Sequence, residues 1–562
     1  MVLETTSAGR RNITLLRTAR NVVTRRNSTD TRTARPPANF SSTNPGRANH
    51  LVPAKIITPD KIPIARELTE GHWLERYITK PAPISSSELG RILETVENTI
   101  NITLYENGAI PASPNVASEY SDGSWRRDNA IMMIAFMLAS SIETETSGDR
   151  SDLVQRVKRE LTEMAKYDND PFHRGHFTSF FFLSSDPGEN RRQAKEKFVR
   201  DIPGLPRAKH SINGNGSLGE YSDWGHHQLD SIGAYLYAYF FAANQGIIDL
   251  KELDKILTEQ NPENSEDSLF SVALHFLNEI EYWDETDVGP WESVPANKRA
   301  SSVGMCLAAL KEAKKYFDNR SWNPEKIIKV SQGVNLRQII DKGIENGEAV
   351  INERIPSDGR PATETNEIPS DSALAFLLLF NPGLNEAQEN AILQRVYENM
   401  GEYGIRRMDD QIDAFMGENY ALNPNGQGKW SMLHPEHKAA QWTLFDPILA
   451  THYYKKYLKS DGRDIESFLL ADKHLKRTLS QITKCDYEIE QFVSPHEKIT
   501  VKIPAGVLPE ARWRRKDEHG ETWLPNTNSP LQMAHGVFAI MIAEATKAIQ
   551  LRETGTNLVT AA

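Results

Sequence analysis

The sequence predicts an all-α protein, and three observations carry that reading. From about Ser86 onward, apolar residues recur at three- and four-residue spacing, the period of a helix with one buried face. About thirteen segments read this way, against one alternating apolar–polar stretch, Ile499-Thr500-Val501-Lys502-Ile503. No fixed 20–50-residue repeat appears, which argues against a simple solenoid.

In chain order, residues 1–50 come first. They hold nine Arg and no Lys against Glu4 and Asp30, or about +7. Such a composition suits either a transit segment or a disordered basic tail, and the tail is the preferred reading. Residues 51–85 read as a connecting segment, 86–552 as one helical domain and 553–562 as a C-terminal tail. The expected helices are 87–103, 127–145, 149–167, 228–244, 249–259, 268–282, 300–316, 324–346, 371–380, 386–400, 440–458, 463–482 and 530–551. Asp371 reads as a cap before Ser372-Ala373-Leu374, and Asn528-Ser529-Pro530 opens the last helix. The linkers 168–225, 283–299, 401–439 and 485–529 are long, and long loops in a compact domain are usually functional.

Bulk properties narrow the function. A chain of 562 residues with 39% hydrophobic and 25% charged residues supports a sizeable core. The net charge of −11 argues against nucleic acid as the main partner. No apolar run approaches the ~18 residues needed to span a bilayer, and no secretory signal is apparent. Cys306 and Cys485 alone exclude a disulfide scaffold and a cysteine-rich metal site. The expectation is a cytoplasmic protein, with organellar targeting by the Arg-rich start left open.

Four loop-to-helix junctions place aromatic and polar residues before an apolar run. The first is Trp125-Arg126-Arg127-Asp128, where an Arg–Asp pair would grip sugar hydroxyls and Trp125 would offer a stacking face. The second is Trp224-Gly225-His226-His227-Gln228-Leu229-Asp230. Its histidines do not suggest a metal, because adjacent helical residues diverge by about 100°. The third is Gly289-Pro290-Trp291-Glu292, and the fourth is Val507-Leu508-Pro509-Glu510-Ala511-Arg512-Trp513. Other patterns read as structure: Gly214-x-Gly216-x-x-Gly219 is a loop without a preceding strand, His434-Pro435-Glu436-His437 lacks metalloprotease spacing, and Trp442 belongs with the core residues Leu444, Phe445 and Ile448.

These residues carry a resemblance. The chain resembles the glucoamylase family of glycoside hydrolases, family 15, and is similar to the glucoamylase-like region of phosphorylase kinase regulatory subunits. The resemblance spans roughly residues 90–550 in consistent order. Trp125-Arg126-Arg127-Asp128 resembles the family's Trp-x-Arg-Asp motif, and Trp224 to Asp230 its Trp-Gly-x-x-Gln-x-Asp motif. Trp291-Glu292 resembles the segment whose Glu is the general acid. Gly404-Ile405-Arg406-Arg407 resembles a segment whose Arg holds substrate, and Pro509-Glu510 the segment bearing the general base. Ser293 stands where relatives usually carry a second Glu, and Ala511-Arg512-Trp513 departs from the usual sequence after the base.

The resemblance implies an (α/α)6 barrel, a six-hairpin toroid with long functional loops. It implies an inverting, exo-acting hydrolase releasing glucose from an α-glucoside, with Glu292 as general acid and Glu510 as general base. Trp125, Arg127, Asp128, Trp224, Gln228, Asp230, Trp291 and Arg407 would bind the sugar, and no metal or cofactor is required. The chemistry needs an acid for the leaving oxygen and a base for water on the opposite face, about 6.5–9.5 Å apart. Glu292 and Glu510 lie far apart in sequence, so only the fold can unite them. Arg512 is expected to help keep Glu510 ionised. Rival readings are a non-catalytic carbohydrate- or protein-binding regulator, or a same-fold enzyme acting on trehalose, α-1,6-oligosaccharides or a glycosylated metabolite. A phosphate-using barrel enzyme would not need the base. Oligomeric state is not legible.

Overall fold

Helices alternate between an inner and an outer ring in the computed structural model. It describes residues 57–99, 110–114, 123–140, 151–169, 177, 208–211, 227–260, 268–291, 297–319, 335–359, 371–407, 440–494, 497–517 and 520–560. The longer helices are α1 (Ser86–Thr99), α2 (Arg126–Ala139), α3 (Ser151–Asn169), α4 (Leu229–Asn244), α5 (Leu250–Gln260), α6 (Leu269–Glu279), α7 (Ala300–Asn319), α8 (Leu336–Arg354), α9 (Ala375–Phe380), α10 (Glu386–Glu398), α11 (Phe445–Lys459), α12 (Ile465–Gln481) and α13 (Gln532–Thr560).

Six of them close a ring: α2 packs on α4, α4 on α7, α7 on α9, α9 on α11, α11 on α13, and α13 returns to α2. Five of the inner helices have an outer neighbour: α13 packs on α1, α2 on α3, α7 on α8, α9 on α10 and α11 on α12, while outer α6 bridges α3 and α8. This is the expected (α/α)6 toroid, with α5 as an addition beside α3. Composition explains who sits where. Every residue of α2 except Leu138 is buried, as are all of α9, because an inner helix meets neighbours on all sides. Outer α8 buries only a stripe, including Leu336, Ile339, Ile340, Gly343, Val350 and Ile351.

Local chemistry sets the helix ends. Asn335 accepts from the Arg337 amide to cap α8, Asp464 accepts from Ser467 to cap α12, and Asn385 with Gln388 forms a capping box on α10. Helix α9 stops because Asn381 adopts a left-handed conformation (φ 46°) just before Pro382. Close packing of α4 against α7 depends on Gly233, where an added Cβ would stand 2.6 Å from the Cys306 backbone nitrogen. Neither partner is a flexible side-chain end. Gly233→Ala should therefore lower the free energy of unfolding by about 1–3 kcal/mol, read from the urea midpoint.

Strands are more numerous than expected. The anticipated β stretch is half of a hairpin, β4 (Tyr487–Ser494) with β5 (Glu497–Ile503), in which Ile489 pairs with Val501. A three-stranded sheet joins β3 (Gln441–Trp442), β6 (Ala511–Asp517) and β7 (Gly520–Pro525). Most of the supposed linker 485–529 is therefore hairpin. Two short strands, β1 (Gly123–Trp125) and β2 (Lys209–Ser211), pair beside α2. The helix expected from 440 begins at Phe445, because Gln441 and Trp442 are strand. The helix expected over 324–346 runs from Leu336 to Arg354, with 324–334 outside the described residues, and α13 continues past 551 to Thr560.

Before α1, the one-turn helices Arg66–Thr69 and Glu75–Ile78 pack on α12, and His72 Nε2 hydrogen-bonds the Ile482 carbonyl at 2.8 Å. Ile62, Leu74 and Ile78 join the main core. Among the described residues, no helix is long and apolar enough to cross a membrane.

Candidate active site

The inner helices all present their N-termini at one end of the barrel, where the junction residues meet. Helix N-termini carry unpaired amides and partial positive charge, so carboxylates gather there at reduced cost.

At the start of α2, Trp125 is extended backbone and its ring is buried, with Lys209 Nζ 4.3 Å from the ring centre. It therefore belongs to the wall behind the mouth. Arg126 and Arg127 diverge. Arg126 forms a two-pronged pair with Asp168 of outer helix α3, with Nη1 donating at 2.8 Å. Arg127 turns the other way. Its Nη1 donates to Asp230 of α4 at 2.8 Å and to the Pro290 carbonyl at 3.2 Å, tying the first three junctions together.

Asp128 is buried, 3.9 Å from Arg127 Nε. Burial pushes its pKa up to about 6; Arg127 opposes this, and the charges of Glu510 and Asp230 add to it. Burial also raises the Asp230 carboxyl, against the pull of Arg127. Gln228 is buried directly before α4.

Glu510 reaches the mouth through the small sheet. Trp442 pairs with Ala511, and the Thr443 amide then donates to the Glu510 carbonyl at 3.1 Å. The Thr443 hydroxyl donates to the Pro509 carbonyl. Glu510 is half-buried, and its Oε2 accepts from the side-chain amides of Asn526 and Asn528, the latter at 3.5 Å. Its own amide donates to Ser529 Oγ at 3.2 Å. Arg512 does not assist it. Strand alternation sends that guanidinium into the core, where it donates to the Gln481 carbonyl at 2.8 Å.

Trp291 lies across the mouth. Its indole N–H donates to Asp371 Oδ1 at 2.8 Å, and its ring meets those of Trp442 and Phe445 at 5.8 and 5.5 Å. The Arg407 guanidinium sits 5.5 Å from the Trp442 ring centre, and its carbonyl accepts from the Ser372 amide. Trp442 is thus half-buried and part of this aromatic group, while Leu444, Phe445 and Ile448 are core as expected. Asp371 does cap the turn at Ser372, accepting from the Ala373 amide. Burial, with the Asp358 charge next, pushes its pKa up to about 6. Glu292 and Trp224 lie outside the described residues.

Sequence reasoning passed over Asp287, Asn526 and Asn528. Loop residues of these types are common, and only the contacts distinguish them. Asp287 Oδ2 accepts from the Leu229 amide at 3.0 Å and from Ser302 Oγ at 2.7 Å. Burial, and next the charge of Asp230, push its pKa up to about 7. An unfolded aspartate titrates near 3.9. Between these values the native state keeps a proton that the unfolded chain has lost, so stability falls as pH rises. Melting curves should show a smaller drop in Tm from pH 4.5 to 7.5 for Asp287→Asn than for the wild type.

The sequence model described as glycosyl hydrolases family 15 matches residues 189–351, covering the second and third junctions. This is the family that the motifs resemble. A Caenorhabditis elegans protein described as a probable phosphorylase b kinase regulatory subunit alpha is 23% identical over 336 residues. That match takes in 56% of this chain but only 24% of the relative, so the chain spans about a quarter of its length. Among solved structures, a glycosidase variant in complex with glucose is similar at a TM-score of 0.50 and 15% identity, covering 83% of this chain and 99% of the other. A glucoamylase from Saccharomycopsis fibuligera is similar at a TM-score of 0.45 and 15% identity, with 89% and 98% covered. The chain shares the fold of that glycosidase variant.

Proposed function

We propose that the mouth formed by the inner-helix N-termini is the active site of an inverting, exo-acting glycoside hydrolase. It releases glucose from an α-glucoside, with water as acceptor. The observation that carries this reading is Glu510, whose carboxylate is held by Asn526 and Asn528 near enough to Asp128 to raise its pKa. A base must be fixed where water arrives, and two amide donors fix it.

In this reading Glu292 protonates the leaving oxygen while Glu510 takes a proton from water, and the water attacks the opposite face of the sugar. Trp291 precedes Glu292 in the sequence, and its own indole N–H is held by Asp371. Trp291 and Trp442 supply an apolar wall that favours the protonated acid. Arg127, Asp128, Gln228, Asp230 and Arg407 bind hydroxyls, Trp224 completes the aromatic lining, and Trp125 backs it from the wall behind the mouth. No cofactor takes part, the partner is carbohydrate, and the location is cytoplasmic. Trehalose, an α-1,6-oligosaccharide and a glycosylated metabolite are the other substrates to compare.

Similarity to a kinase regulatory subunit supports a second reading, a non-catalytic carbohydrate-binding regulator. The experiment incubates pure protein with maltose, isomaltose, trehalose and maltooligosaccharides, with and without phosphate. Glucose release independent of phosphate is expected. Binding without turnover across the panel would favour the regulator, and strict phosphate dependence would remove the assigned base.

A further inference from the structure

A cavity of about 210 Å³ opens among α4, α7, α9, α10 and α11. Its lining comes from the later turns of the inner helices, such as Tyr237, Glu312, Phe380 and Lys456, whereas the candidate active site uses their first turns. The two therefore lie toward opposite ends of the barrel. The volume is below the ~300–1,000 Å³ typical of drug-sized ligands, so the occupant is small.

Helix α11 sets its chemistry. His452, Lys455, Lys456 and Lys459 recur at helical spacing and share the face lining the cavity. Two carboxylates oppose the three lysines. Glu312 is engaged, accepting from Asn244 Nδ2 at 2.6 Å. Glu389 faces Lys456 and Lys459, whose charges act on it. Lys455 donates to the Leu379 carbonyl at 3.4 Å. Lys456 and Lys459 form no ion pair within 4 Å among the described residues. His452 is 5% exposed, yet its Nε2 has no hydrogen-bond partner. That nitrogen is covered by protein, so a bound group meets the ring through Nδ1, and a neutral imidazole protonated there keeps Nε2 as a bare acceptor.

We propose that this cavity binds a small phosphorylated metabolite, its phosphate held by Lys456, Lys459 and His452 and its uncharged body resting on Leu378 and Phe380. Burial, and next the neighbouring lysines, push the His452 pKa down to about 3, so the imidazole is neutral and offers one N–H. A phosphate monoester carries about −1.5 to −2 charge and three acceptor oxygens at neutral pH. That matches two ammonium groups and one N–H better than a carboxylate, which has a single charge and two oxygens.

The test titrates the full chain with inorganic phosphate and with glycerol phosphate at fixed ionic strength, followed by phosphorus NMR and calorimetry. Acetate and glycerol are the comparison ligands. Saturable binding of both phosphate probes is expected, weakened at least ~10-fold in a Lys456→Ala/Lys459→Ala double variant. Both lysines are at least partly exposed, so that variant should fold, and circular dichroism checks it. Glu389→Gln should tighten binding by removing an opposing charge. Equal affinity in the double variant, acetate binding as tightly as phosphate, or no saturable binding would each overturn the proposal. So would loss of phosphate binding in Arg407→Ala with retention in the lysine variant, which would place the anion in the mouth.

Discussion

Glu510→Gln is expected to lower kcat by about 10²–10⁴-fold, the usual worth of a positioned general base, with little change in Tm. Glutamine keeps the shape of the side chain, and its carbonyl oxygen can still accept from Asn526 and Asn528, the two donors on Glu510 Oε2. What it cannot do is take a proton from water. The acidic limb of the kcat/KM profile should change with loss of the carboxylate, whose charge also acts on Asp128. KM should move less than kcat, because the role proposed for the group is on water and not on the sugar. Full activity in the folded variant would remove Glu510 from the mechanism.

Arg126→Leu is expected to cost about 3–5 kcal/mol of stability, since it leaves a buried carboxylate without its partner. Arg126 and Asp168 are both about 2% exposed, and the guanidinium meets both carboxylate oxygens. The pair locks inner α2 to outer α3 at the threshold of the mouth. A double variant, Arg126→Leu with Asp168→Leu, should recover much of the loss, because replacing a whole buried pair by apolar groups is often neutral or stabilising. Urea unfolding checks both. A loss below 1 kcal/mol in the single variant would mean that the pair does not bear on stability.

These two arginines also show what a sequence can and cannot convey. Their adjacency at a helix entrance was visible, and the family resemblance singled out Arg127 for the mouth. Their separate partners, Asp168 on α3 and Asp230 on α4, depend on which way each side chain leaves the helix and on what the neighbouring ring supplies. The helices were legible because apolar spacing repeats over many turns, as in the stripe from Leu336 to Ile351 on α8. The hairpin of β6 and β7 was not. Arg512-Trp513-Arg514-Arg515-Lys516-Asp517 shows no apolar alternation, and its pairing is set by β3 and β7.

The family resemblance singled out Glu510 beside Pro509, yet the residues that hold it were missed. Asn526 and Asn528 lie 16 and 18 positions away on the far side of that hairpin. The expectation that Arg512 supports Glu510 failed for a related reason: in a strand, a side chain two positions on keeps the same face only if the strand includes both residues. Here β6 begins at Ala511, and Arg512 enters the core.

The central claim is a pair of carboxylates on opposite faces of one sugar, and the configuration of the first product reports on it directly. Proton NMR of the reaction with the best α-linked substrate, recorded before mutarotation, should show β-glucose appearing first. Initial release of α-glucose would contradict the roles given to Glu292 and Glu510.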